Sequence, residues 1–130
     1  MAYDMYQENI LDHYQNPRNV GRIEAPDVVV KEHNPLCGDS VELFLKLTPD
    51  RRIAEVKFEG QGCAISQSAI SMLTEELQGA SMDDIAKLAT KDHIFELIGV
   101  PISHARIKCA LLSMDVALLA LRQWKQKQAA

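Results

Sequence analysis

Two hydrophobic periods alternate along the chain, and the switches between them mark its elements. Residues 4–15 carry Tyr6, Ile10, Leu11 and Tyr14 near i, i+4, i+5 and i+8, the spacing of one apolar helical face. Asp4 is placed to cap that helix, and Asn16-Pro17-Arg18-Asn19-Val20-Gly21 ends it with turn chemistry. His13 falls late in the helix, where a positive charge suits the dipole, and is read as structural. Three strands follow. Residues 27–33 hold the β-branched run Val28-Val29-Val30. Val41, Leu43, Leu45 and Leu47 alternate with Glu42, Lys46 and Thr48. After a turn at Pro49-Asp50, Ala54, Val56 and Phe58 alternate with Glu55, Lys57 and Glu59. Period two with charge on one side predicts an antiparallel sheet, wet on that face and covered by helices on the other.

The period lengthens again after Gly60-Gln61-Gly62-Cys63. Residues 64–78 put Ile65, Ala69, Met72, Leu73 and Leu77 on one face, and Gly79 stops the helix. Ser81, with Asp84 three residues on, resembles a capping box and opens a short helix reaching Leu88. Thr90 caps another helix over 91–98 that ends at Gly99; His93 in its first turn is read as a surface or packing residue. The connector Pro101-Ile102-Ser103-His104-Ala105-Arg106 leads to a last helix over 107–125. From Cys109 to Leu121 it is apolar nearly all round, which predicts burial on most sides, against the sheet, other helices or a partner chain. Trp124 is read as a packing or surface aromatic. The expected fold class is α+β: a three-stranded antiparallel sheet covered by helices, with an N-terminal helix and a long, buried C-terminal helix, in one domain over residues 1–130.

Composition narrows the function. The chain has 130 residues, a net charge of −4 and no basic block, so nucleic acid is not expected as a partner. No apolar run approaches the roughly 20 residues that span a bilayer, and the N-terminal stretch lacks the apolar core of a secretory signal. Three cysteines, 26 and 46 residues apart, are an odd count with no repeated pair. This argues against a disulfide framework and for a reducing cytoplasm.

The chemistry gathers at Asn34-Pro35-Leu36-Cys37-Gly38-Asp39-Ser40. Asn-Pro stops any helix, and glycine between a thiol and a carboxylate allows a sharp turn that brings both to one point. Cys63 and Cys109 each fall at or near a helix start, where unpaired N–H groups favour a thiolate. If these ends converge, Cys37, Asp39, Cys63 and Cys109 form a four-ligand set suited to zinc, or to iron in a cluster. The other reading of the same residues is three small buried hydrophobes; there is no CxxC to separate the two.

Four segments add a resemblance: Ile10-Leu11-Asp12-His13-Tyr14-Gln15-Asn16-Pro17-Arg18-Asn19-Val20-Gly21, Asn34-Pro35-Leu36-Cys37-Gly38-Asp39, Gly60-Gln61-Gly62-Cys63-Ala64-Ile65-Ser66, and Ala105-Arg106-Ile107-Lys108-Cys109-Ala110. In this order they resemble the iron–sulfur cluster assembly scaffolds of the IscU/SufU/NifU N-terminal family. The resemblance implies that Cys37, Asp39, Cys63 and Cys109 hold a transient 2Fe-2S cluster, or zinc in its absence. It implies a cysteine desulfurase as sulfur donor and iron–sulfur acceptor proteins as recipients. A hard, exchangeable oxygen ligand among soft sulfurs would keep such a site labile. The resemblance implies a binding protein, or, in the SufU manner, a zinc-dependent sulfurtransferase. Cys109 is the expected persulfide acceptor, with Lys108 stabilising its thiolate or persulfide. Lys108 stands where IscU-type chains have histidine, and His104 is a substitute ligand to be weighed. The segment that IscU offers to its chaperone is replaced here by Ile102-Ser103-His104-Ala105-Arg106, and the insertion usual in SufU between its second and third cysteines is absent. The apolar last helix permits a homo-oligomer.

Overall fold

The computed structural model describes the backbone of residues 2–35 and 38–129 and the side chains of residues 8–35 and 38–128. In chain order it holds α1 (Ala2–Gln15), β1 (Val28–Asn34), β2 (Asp39–Leu47), β3 (Ile53–Gln61), α2 (Ala64–Leu77), α3 (Ile85–Leu88), α4 (Lys91–Ile98) and α5 (Ile107–Ala129). Tight 3-10 turns over Met82–Asp84 and His104–Arg106 lead into α3 and α5. The fold is α+β, a three-stranded antiparallel sheet in the order β1-β2-β3 with the helices packed on it. No helix among the described residues is long and apolar enough to cross a membrane.

Register explains the core. Val30, Leu43 and Phe58 form one cross-strand row and Val28, Leu45 and Val56 the next, and all six are buried towards the helices. Between Lys46 and Leu47 the register to β3 slips, so Leu47 pairs with Ile53 and Ala54 is left as the extra residue. That bulge reverses the alternation. Ile53 enters the core and Ala54 faces out, correcting the expectation that Ala54 continues the apolar face. The outer face is also less wet than its charges suggest. Asn19 and Gly21 exchange backbone hydrogen bonds with Phe58 at the β3 edge, and Asp27 donates its N–H to Leu45. The intervening segment crosses the outer face of the sheet. Its Arg22 bonds Glu42 and Glu59 and lies 4.7 Å above the Phe44 ring, which is only 2% exposed.

Among the described helices α2 is buried on the most sides, with Ser66, Ser68, Ser71 and Thr74 sealed beside Ala69, Ile70, Leu73 and Leu77. Buried hydroxyls need partners. Ser68 donates to the Ile10 carbonyl at 2.9 Å, Thr74 to the Ser71 carbonyl at 2.7 Å and Ser66 to the Cys63 carbonyl at 3.1 Å. The Ser71 oxygen accepts the Arg18 N–H at 2.9 Å and lies 2.7 Å from His13 Nδ1. α1 therefore docks through Ile10 and His13. Leu11 and Tyr14, expected on its inner face, are 51% and 46% exposed. Asp4 lies inside α1 instead of capping it, and the side chain of Tyr6 lies outside the described residues.

His13 is a packed residue, as expected, but not a cation complementing the dipole. Burial holds its pKa below the ordinary 6.5, Arg18 pushes the same way, and Glu75 and Asp12 oppose them. The unfolded chain therefore takes up the proton first, so stability falls as pH drops below about 6.5 and levels off once folded His13 also protonates. Melting temperatures between pH 7.5 and 5.5 are expected to drop in the wild type and to change less in His13→Gln. Equal slopes in the two proteins would exclude His13 as the source.

The other helix signals hold. Ser81 and Asp84 form a reciprocal capping box, Thr90 caps α4 by accepting the His93 N–H, and Gly79 and Gly99 end their helices at positive φ. His93 packs against Glu76, its Nε2 lying 2.5 and 3.1 Å from the carboxylate oxygens. α5 turns Cys109, Ala110, Leu112, Val116, Ala117, Ala120, Leu121 and Trp124 inward. It runs along β1, where Gln123 and Lys127 donate to the carbonyls of Val29 and Asp27.

Candidate metal centre

The starts of three elements meet at one end of the sheet. Asp39 is the first residue of β2, paired with Asn34 across the hairpin, and it is 3% exposed. Gly38 before it sits at φ +77, and its N–H bonds the Asn34 carbonyl at 2.8 Å. A β-carbon is poorly tolerated at that φ. Cys63 is the N-cap of α2, in extended conformation and with no side-chain cap bond, so its thiol does not occupy the first-turn N–H groups. Instead it lies 3.5 Å from Asp39 Oδ2, which accepts its S–H. Cys109 lies in the first turn of α5 and is 4% exposed.

The ligand atoms of Asp39, Cys63 and Cys109 all lie within 4.8 Å of one another, a group among the described residues able to hold a metal ion. Donors around one tetrahedral zinc stand about 3.5–3.8 Å apart, given metal–ligand distances of about 2.0–2.3 Å. The three donors are thus within a small contraction of that geometry, and two soft sulfurs with one hard oxygen suit zinc or iron. Cys37 lies outside the described residues. The group borders a cleft of about 520 Å³ lined by Asp39, Gly62, Cys63, Ala105, Arg106 and Cys109.

Close packing fixes the carboxylate. A β-carbon on Gly62 would come 2.6 Å from Asp39 Cγ and Oδ1 and 2.7 Å from Ser66 Oγ, and Gly62 has φ +152. The bare glycine backbone is what lets the β3–α2 turn close over Asp39.

Lys108 and His104 stand elsewhere. Lys108 is exposed and lines a neighbouring groove of about 280 Å³ with His33, Asn34, Pro35, Leu111, Leu112, Met114 and Asp115. Burial and the nearby Glu32 push the Asp115 carboxyl above its usual range. His104 is exposed in the turn before α5 and is not in the donor group. Arg106, part of the last segment that carries the resemblance but with no role expected for it, lines the cleft beside Cys109. The signal is its spacing: the 3-10 turn that holds Arg106 runs straight into α5, so Arg106 stands one turn before Cys109, and residues one turn apart face the same way whereas adjacent ones do not. The same rule puts Lys108 on the face of Leu111, Leu112 and Asp115.

The chain is similar to known proteins along nearly its whole length. The pattern of the NifU-like N terminal domain matches residues 5–130. The iron-sulfur cluster assembly scaffold protein IscU 1 of Archaeoglobus fulgidus is 36% identical over 95% of this chain and 78% of its own. The zinc-dependent sulfurtransferase SufU of Bacillus subtilis is 37% identical over 84% of each chain. The IscU scaffold of Escherichia coli is 32% identical over 96% of this chain and 98% of its own. Among solved structures, FiSufU from Fervidobacterium islandicum superposes with a TM-score of 0.77 at 28% identity, covering 93% of this chain and 99% of that one.

Proposed function

This chain belongs to the NifU-like N terminal domain family, and on that premise we propose that it is a scaffold on which a 2Fe-2S cluster is assembled from iron and desulfurase-derived sulfur and then passed to acceptor proteins. The observation that carries this reading is the meeting of Asp39, Cys63 and Cys109 within 4.8 Å, each delivered by the start of a different element. Cys37, two residues before Asp39 in sequence, completes the set as a third thiolate. The names of the relatives support the reading, since most of those described are assembly scaffolds.

The donor set suits cargo that must leave. Thiolates hold iron tightly, while a carboxylate oxygen is a harder and more exchangeable partner. Asp39→Ala is therefore expected to bind the cluster still and to keep it several-fold longer, as followed by the decay of visible absorbance with an acceptor present. Faster loss in that variant would contradict the labile-ligand argument.

Sulfur arrives as a persulfide on the desulfurase, and Cys109 is the acceptor. Its thiolate attacks the terminal sulfur, a new S–S bond forms, and the donor's S–S bond breaks. The donor cysteine leaves as a thiolate and takes the proton of the terminal sulfur, leaving an anionic persulfide on Cys109 with no net oxidation. Mass spectrometry after incubation with a desulfurase should place the extra sulfur on Cys109; sulfur only on Cys37 or Cys63 would overturn that assignment.

A second reading follows from the 37% identity to a zinc-dependent sulfurtransferase: the same residues hold zinc and relay sulfur without building a cluster. Anaerobic reconstitution with iron, cysteine and a desulfurase separates the two. A stoichiometric, transferable cluster supports the scaffold. Tight zinc, strong stimulation of the desulfurase and no cluster support the relay.

A further inference from the structure

We propose that Arg106 is the anion-recognition residue of this cleft, drawing the negatively charged sulfur of an incoming persulfide to Cys63 and Cys109. The proposal rests on the sulfur-accepting function above and names the side chain that makes it work.

The cleft has a charge problem. Asp39 and two thiol-bearing residues line it together, and each donor becomes negative when it is ready to act. A free persulfide approaches as an anion, RS–S⁻, and meets this wall of like charge; it takes up a proton from solvent at the cleft before its terminal sulfur is attacked. Among the described residues lining the cleft, Arg106 supplies the positive side chain. It is exposed at the mouth, and its backbone is anchored by the bond from its N–H to the Ser103 carbonyl at 2.9 Å. The 3-10 turn that holds it runs straight into α5, so it stands one turn before Cys109 and lines the same cleft. Lys108, although adjacent to Cys109, lines the groove beside Asp115 and His33. A planar guanidinium is also the better anion holder, because its donors form a rigid fork and its charge does not titrate.

Two alkylating reagents of similar size isolate this charge effect. Iodoacetate is an anion and iodoacetamide is neutral, and both consume the same thiolate. The ratio of their rates at Cys63 and Cys109, read by mass spectrometry on the metal-stripped full chain, is independent of how much thiolate is present. Arg106→Ala is expected to lower the iodoacetate/iodoacetamide ratio about fivefold at low salt, an effect of the size expected for one partly screened charge. Arg106→Lys should restore most of it, added salt should shrink the wild-type preference, and Lys108→Ala should lower it less than Arg106→Ala. Transfer of sulfur from glutathione persulfide should slow in the same order. A general loosening of the cleft would move both reagents together, and melting temperatures identify any variant that fails to fold. Should Arg106→Ala destabilise the chain, the salt dependence of the wild type and of Arg106→Lys still decides the point.

An unchanged ratio in folded Arg106→Ala, or a larger loss in Lys108→Ala, overturns the assignment to Arg106. A wild type that shows the Arg106-dependent ratio but takes no sulfur from either glutathione persulfide or a desulfurase overturns the sulfur-accepting function instead.

Discussion

Gly62→Ala is expected to destabilise the protein by about 2–6 kcal/mol and to weaken zinc binding about a hundredfold. Two costs combine in the stability loss. The backbone at φ +152 is one that residues with a side chain rarely adopt, and such strain costs about 1–3 kcal/mol. The new methyl would also press 2.6 Å from the Asp39 carboxylate and 2.7 Å from Ser66 Oγ, and overpacking of this kind costs about 1–3 kcal/mol. Asp39 opens a strand, and Ser66 is held to the Cys63 carbonyl, so neither gives way without moving a donor. The site consequently suffers beyond the general destabilisation: displaced support around a metal typically lowers affinity by about 10–100-fold. Urea unfolding gives the first number and competition with a chromophoric zinc chelator gives the second. A variant with wild-type zinc affinity would show that the contact between Gly62 and Asp39 does not shape the site.

Leu73→Ala should damage stability as much and zinc binding far less. Leu73 is fully buried on α2, and deleting most of such a side chain costs about 2–5 kcal/mol, a large part of the roughly 5–15 kcal/mol that holds a domain together. It lies ten residues from Cys63, about 15 Å along the helix axis at about 1.5 Å per residue. The cavity opens among Leu77, Ile70 and their neighbours and leaves the donor end of the helix seated. Measured well below its lowered melting point, the variant should bind zinc within a few-fold of the wild type. Loss of zinc affinity comparable with Gly62→Ala would mean that the donors depend on packing along the whole helix.

The contrast between these residues also shows where periodicity is informative. Leu43, Leu45, Val56 and Phe58 follow the alternation of their strands, because nothing interrupts the pleat between them, whereas Val28, Val29 and Val30 read only as a β-branched run and pairing with β2 decides which of them turn inward. Ala54 misleads because a bulge inserts one residue, and a bulge is decided by pairing across strands, which no local pattern reports. Leu11 and Tyr14 look like core because they are apolar; the helix chose Ile10 and His13 because Ser68 and Ser71 on α2 offered hydrogen bonds there. A buried histidine is invisible to a hydrophobicity count. Phe44 is hidden by a loop with no periodicity of its own. At the site, residue type and glycine placement pointed to Asp39, Cys63 and Cys109, which the structure brings together. Arg106 and Lys108 differ by two positions, and only helical geometry tells which of them looks into the cleft.

The side chains that α5 lays along β1 have a consequence for how this protein behaves in a crowd. A three-stranded sheet has two open borders, and each is a template onto which a stranger's backbone can add. Here the carbonyls of Asp27 and Val29 are engaged by Lys127 and Gln123, while Asn19 and Gly21 engage Phe58 on the opposite border. Fibril-like stacking would first have to strip away these native bonds, so the fold carries its own protection against runaway self-assembly at high concentration.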